Sequence, residues 1–140
     1  MKLLYYVVAV LLATEVQSRD IVSIIGVGDI MLGTNYPSKR YLPPNQGRDL
    51  MKDVEDILNN ADVTFGNLEG TILDTKGSAR KNCKKCYSFR MPAYLVDNLV
   101  TAGFDVLSIA NNHIMDFDTQ GVDNTIRVLN REMDLCGRSR

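Results

Sequence analysis

The sequence predicts an α/β fold, layered and with largely parallel strands, and three observations carry that reading. The first is a pair of continuous apolar runs, residues 21–27 and 104–110, too short for helices and rich in Ile, Val and Leu. Such runs suit strands buried on both faces, as parallel sheets require. The second is the amphipathic segments that alternate with them, with apolar residues three and four apart. The third is that each apolar run ends in polar residues able to do chemistry, and open α/β sheets place their sites at strand ends.

Taken in order, residues 21–27 form the first strand and residues 29–45 a loop marked by Gly33, Pro37, Pro43 and Pro44. Residues 49–60 read as a helix, with Leu50, Met51, Val54, Ile57 and Leu58 on one face and Asn59-Asn60 ending it. A short strand follows at 62–66, and residues 75–85 are a polar, basic loop. Residues 87–91 are a short strand candidate. Pro92 suits the first turn of a helix reaching Ala102, with Leu95, Leu99 and Val100 inward and Gly103 as its stop. Residues 104–110 are the third buried strand. A helix over 120–131 turns Val122, Ile126 and Leu129 inward, and Met133 begins a fourth strand, after which the fold stops short. Strands separated by helices imply right-handed parallel crossovers.

The composition is that of an ordinary globular chain: 45% hydrophobic, 24% charged, formal net charge −1 over 140 residues. That charge gives no electrostatic case for nucleic acid or an anionic membrane surface. The basic residues Arg80, Lys81, Lys84 and Lys85 read as a solvated face. Residues 1–18 have the layout of a secretory signal: Lys2, an apolar stretch over 3–13, and Val16-Gln17-Ser18 before the cut. An uncleaved anchor or a core strand are the other readings, but the apolar stretch is short for about 30 Å of hydrocarbon. The domain then covers 19–140, and the protein is expected to be exported: periplasmic, extracellular or envelope-associated. Export makes a local disulfide between Cys83 and Cys86 possible; a zinc half-site and a redox pair are the alternatives, and Cys136 is left over.

Three clusters carry candidate chemistry. In Gly26-Val27-Gly28-Asp29, glycines let the backbone turn tightly and free the Asp29 carboxylate, although Gly-Asp turns are common as plain turns. In Asn67-Leu68-Glu69-Gly70, two oxygen donors two residues apart share one side of an extended chain, a ligand type that hard cations prefer; an Asx turn with a surface Glu is the plainer account. In Asn111-Asn112-His113, the sole histidine leaves a buried run, with Asp116 and Asp118 close behind. An imidazole there could bind metal or protonate a leaving group.

Together the segments GDIMLG, NLEG and ANNHIMD, with GFDVLSIANNH leading into the last, resemble the CapA family of capsule (poly-γ-glutamate) synthesis proteins. Tyr87-Ser88-Phe89-Arg90-Met91-Pro92 and the Gly121–Leu129 helix resemble further segments of that family. The likeness runs over roughly residues 22–137, about the N-terminal half of the family's domain. It implies a fold like that of calcineurin-type metallophosphoesterases, with a two-metal site at the strand ends. By this likeness Asp29, Glu69 and Asn112 hold a divalent ion, Mn²⁺ or Mg²⁺, with Asn67 as a further ligand, and His113 acts as the acid. Met31 stands where phosphoesterases carry a histidine, and Asn67 where they carry an aspartate.

The resulting expectation is an exported protein that helps make, anchor or process an anionic capsular polymer. Metal-assisted hydrolysis or transfer is the enzymatic version, with Arg90 pairing with a substrate carboxylate or phosphate and envelope assembly proteins as further partners. The alternatives are a non-catalytic module that binds the polymer, and an inactive fragment.

Overall fold

The computed structural model describes residues 21–75, 77–80 and 87–135. The expected signal segment and Cys83, Cys86 and Cys136 lie outside the described residues. The elements are β1 (Ile24–Ile30), α1 (Glu55–Asn59), β2 (Val63–Leu68), β3 (Thr71–Ile72), β4 (Arg90–Met91), α2 (Val96–Thr101), β5 (Val106–Ser108) and α3 (Asp118–Leu135). β1, β2 and β5 form one sheet in that order, parallel throughout, and β3 pairs with β4, also parallel. The α/β class with parallel strands is therefore what the chain adopts.

One face of the larger sheet is the core. Thr64, Gly66 and Leu68 alternate inward along β2, and Ile30 and Leu68 are register partners on that side. Leu95, Val96 and Leu99 of the α2 region and Val128 and Leu129 of α3 pack against it, nearly or fully buried. The other face is open. Ile24 is 68% exposed, Val106 49% and Phe65 40%. The expectation of strands buried on both faces is thus corrected: the described helices cover a single side.

Several element boundaries also differ from the sequence reading. β1 runs on through Gly28 and Asp29, so Asp29 lies within the strand rather than after it. The helix expected over 49–60 shrinks to α1. Residues 47–54 are successive turns, with Leu50 N–H donating to Gly47 O, Lys52 N–H to Asp49 O and Val54 N–H to Met51 O. Helical periodicity does not apply to turns, which is why Leu50 and Val54 are exposed. Ile57, inside α1, is exposed as well.

α3 is longer than expected and runs through Leu135, so no fourth strand begins at Met133. Its inward stripe is Gly121, Thr125, Val128 and Leu129, with Ile126 facing out. A Cβ at Gly121 would come within 2.8 Å of the Thr71 methyl, so the absence of a side chain permits the close approach to β3. Thr125 Oγ1 accepts from Ile72 N–H at 2.8 Å and donates to Gly121 O, and Asn124 Nδ2 donates to Ile72 O at 2.7 Å. A polar latch therefore sets the helix where an apolar stripe alone would have turned Ile126 inward.

Candidate functional site

The site is built at the C-terminal ends of β1, β2 and β5, and a β-bulge makes it. Gly26 pairs with Phe65 and Asp29 with Asn67, so β1 spends three steps where β2 spends two. Such a bulge re-aims the side chains beyond it. In regular pairing Asp29 would alternate onto the core face; with one extra residue it joins Asn67 on the open face, and Ile30 turns into the core beside Leu68. Gly66 allows the crowding this causes. A Cβ there would lie 2.5 Å from Ile30 Cδ1 and 2.8 Å from Val27 Cγ2.

Asn67 is the hub. Its Nδ2 donates to Asp29 Oδ1 at 2.8 Å and to Glu69 Oε2 at 2.9 Å, while its Oδ1 accepts from Asn111 Nδ2 at 3.1 Å. Only this amide orientation lets one group serve both carboxylates and Asn111. Asn111 also donates to Leu68 O at 2.9 Å, and its Oδ1 accepts from the His113 N–H at 3.0 Å. Asn111 thereby stitches the loop after β5 to the end of β2. Asn112, which the resemblance makes a ligand, is exposed beside it.

The His113 ring is held on two sides. Nδ1 lies 2.7 Å from Asp116 Oδ2, and the Phe89 ring packs on the imidazole at a centroid distance of 4.3 Å. Asp116 is fully buried and also accepts from Phe89 N–H at 2.8 Å. A carboxylate accepts hydrogen bonds, so in this pair Nδ1 is the donor and Asp116 Oδ2 the acceptor, which leaves Nε2 turned toward the cluster. Nε2 faces Glu69 Oε1 at 3.7 Å, beyond hydrogen-bond length. Asp116 and Asn111 are the positions that carry this arrangement without having been singled out as site residues. The three-residue spacing from His113 and the doubled asparagine were the available signals.

Arg90 has a structural post. Its Nε donates to Asn35 Oδ1 at 2.5 Å and one amino group reaches Thr75 O and Gly77 O, both at 3.3 Å. The guanidinium also lies over the rings of Phe117 and Tyr36. These bonds tie together the loops around β4, whereas Asp29, Asn67, Glu69 and His113 converge elsewhere. Met31 is half exposed just past the bulge.

The donor chemistry of the cluster, carboxylate and amide oxygens with one imidazole nitrogen, suits a hard or borderline divalent cation. Among the described residues, however, no group of three His, Cys, Asp or Glu side chains is clustered as a ligand set. The Asn67 amide lies between the two carboxylates and satisfies both. The residues therefore fit a cation as part of a ligand set.

A parallel sheet with a carboxylate–amide–imidazole cluster at its strand ends defines a class of α/β proteins with a strand-end polar site. The family model for the bacterial capsule synthesis protein PGA_cap matches residues 23–140, and the chain belongs to that family. Capsule biosynthesis protein CapA of Bacillus anthracis is 31% identical over 110 residues, 78% of this chain and 26% of that protein. PGA biosynthesis protein CapA of Bacillus subtilis (strain 168) is 32% identical over 122 residues, 86% of this chain and 31% of that protein. The uncharacterized protein y4sH of Sinorhizobium fredii is 28% identical over 120 residues. The chain spans about a quarter to a third of the length of these curated relatives.

Proposed function

We propose that the chain acts in the synthesis, anchoring or processing of an anionic capsular polymer of the poly-γ-glutamate type, outside the cytoplasm, and that the Asn67-centred cluster is its working site. The observation that carries this reading is the convergence of Asp29 and Glu69 on Asn67, with His113 Nε2 3.7 Å from Glu69 Oε1, at the ends of three parallel strands. Membership of the capsule synthesis family supports the polymer class.

Asp29, Glu69 and Asn67, with Asn112 at the rim, are the residues that would hold a divalent ion, Mn²⁺ or Mg²⁺. Such an ion supplies charge stabilisation at a phosphoryl or acyl oxygen and a more acidic bound water. The chain's own contribution is positional. The β1 bulge aims Asp29, Asn111 fixes the loop after β5, and Asp116 with Phe89 holds the His113 ring so that Nε2 faces the Glu69 carboxylate. As an acid, His113 would hand a proton from Nε2 to a leaving group, which requires the imidazolium form.

A second reading, a non-catalytic module that binds polymer, is favoured by one observation: the Asn67 amide already donates a hydrogen bond to each carboxylate. Binding of purified poly-γ-glutamate, measured with and without Mn²⁺, separates the two. The metal-assisted reading expects binding that needs the ion and is lost in Glu69→Gln. Metal-independent binding unaffected by Glu69→Gln supports the module instead.

A further inference from the structure

A second cleft, of about 300 Å³, lies between residues 45–55 and the outer side of α2, and none of Asp29, Asn67, Glu69 and His113 lines it. Its size falls at the small end of ligand sites. Tyr94, Asp97 and Asn98, three and four residues apart in α2 and the turn before it, share one side of the helical path and form one wall. Arg48, Lys52 and Glu55 belong to the other. The walls are fixed to each other at two places. Gly47 packs so closely that a Cβ there would lie 2.7 Å from Leu95 Cδ2. Asn59 Nδ2 donates to Glu55 O and to Thr101 O, each at 3.0 Å. The cleft is therefore formed in advance of any ligand. Asn45 and Gln46, at its lip, are both left-handed, with φ of 51° and 56°. That backbone is costly for residues other than glycine, and strain of this kind collects at ligand clamps.

The charges of the lining select the ligand. Arg48 and Lys52 stand against Glu55 and Asp97, and among the described residues none of the four is ion-paired with another. A simple anion here meets two carboxylates, and a simple cation meets two positive side chains. A molecule carrying both signs on neighbouring atoms gives each charge a partner. We propose that this cleft binds an α-amino-acid zwitterion, either a free amino acid or the amino-terminal residue of a peptide. Its carboxylate faces Arg48 and Lys52, and its ammonium faces Glu55 and Asp97. The amides of Asn45 and Gln46 can donate to the first group or accept from the second. The zwitterion class follows from the cleft alone; the choice of glutamate among the probes rests on the polymer reading above.

The test titrates the ¹⁵N-labelled protein with glycylglycine, L-glutamate and γ-glutamyl-glutamate, each beside its N-acetyl form. Backbone signals of residues 45–55 and 94–101 report the cleft, and the His113 ring reports the Asn67 cluster. The expected result is a saturable shift of the cleft signals by the free-amine probes. Acetylation, which removes the ammonium, should weaken binding roughly tenfold or more, as loss of a charged hydrogen bond does. Glu55→Gln combined with Asp97→Asn should erase that preference, and Arg48→Gln combined with Lys52→Gln should abolish binding of both forms. All four side chains are exposed or half-buried, so the fold survives their exchange. Tighter binding of the dipeptides than of L-glutamate assigns a peptide end, and equal binding a free amino acid. Equal affinity for free and acetylated forms would make the cleft a plain anion site and overturn the proposal. Cleft signals unmoved by every probe at millimolar concentration would overturn it too. A response confined to the His113 ring would place the ligand at the Asn67 cluster, overturning this proposal while leaving the polymer reading intact.

Discussion

Asp29 and Asn67 are neighbours because β1 contains one residue more than β2 between their shared register points. The bond from Asn67 Nδ2 to Asp29 Oδ1, at 2.8 Å, is the product of that extra residue. Without it the carboxylate would alternate toward the core face, where Ile30 and Leu68 lie, and an unpaired charge there would be strongly unfavourable. The glycines around the bulge, which a reader of the sequence takes as a turn, serve to continue the strand while changing its phase.

The two-carboxylate grip of Asn67 predicts the behaviour of Asn67→Asp. The substitution removes both donated hydrogen bonds and puts a third carboxylate between Asp29 and Glu69. We expect a loss of about 2–3 kcal/mol in urea unfolding at neutral pH and low salt, from lost bonds and like-charge repulsion. Millimolar Mn²⁺ or Mg²⁺ should restore a good part of that loss in the variant while changing the wild type less. A variant as stable as the parent without added ion would contradict the hub role of the amide.

Asp116 predicts an effect on a single, assignable ring. Asp116→Ala leaves the Phe89 N–H and His113 Nδ1 without their carboxylate partner in a buried setting, a cost of about 2–4 kcal/mol. Because the chain has one histidine, its ¹⁵N imidazole spectrum reports His113 alone. The neutral ring should hold its proton on Nδ1 in the wild type and shift toward the Nε2–H form in the variant. A ring already on Nε2 in the wild type would contradict the assigned hydrogen bond.

The glycines separate into two groups by the space around them. A methyl at Gly66 meets Ile30 and Val27, and one at Gly121 meets Thr71, so Gly66→Ala and Gly121→Ala should each cost about 1–3 kcal/mol through overpacking. Nothing lies within 4 Å of a Cβ at Gly26 or Gly28, and neither has a left-handed φ. Alanine at those two positions should therefore be neutral or slightly stabilising in thermal melts, since it reduces the freedom of the unfolded chain.

Much of this was legible beforehand because its determinants are local. The apolar runs gave the strands, Pro92 and Gly103 bracketed the α2 region, and Asn67 and Glu69 share a side of the chain as extended backbone requires. What was not legible depends on partners distant in sequence. The register of β1 against β2, which puts Asp29 beside Asn67, involves residues 38 apart. Arg90, expected to pair with an anion, is bonded to Asn35 and the backbone of Thr75 and Gly77, partners up to 55 residues away. The stripe of α3 misled because Thr125 and Gly121, weak apolar signals, occupy the inward face. Buried strands were read as buried on both sides because an apolar run cannot say which of its faces a neighbour covers.

The central claim is that Asp29, Glu69 and His113 form one cation-facing cluster, and the sole histidine makes it directly measurable. Mn²⁺ is titrated into the ¹⁵N-labelled protein and the His113 ring signals are followed. The account predicts that they broaden beyond detection at near-stoichiometric ion in the wild type and persist in Glu69→Gln under the same conditions. Sharp His113 signals in the wild type at millimolar Mn²⁺ would contradict it.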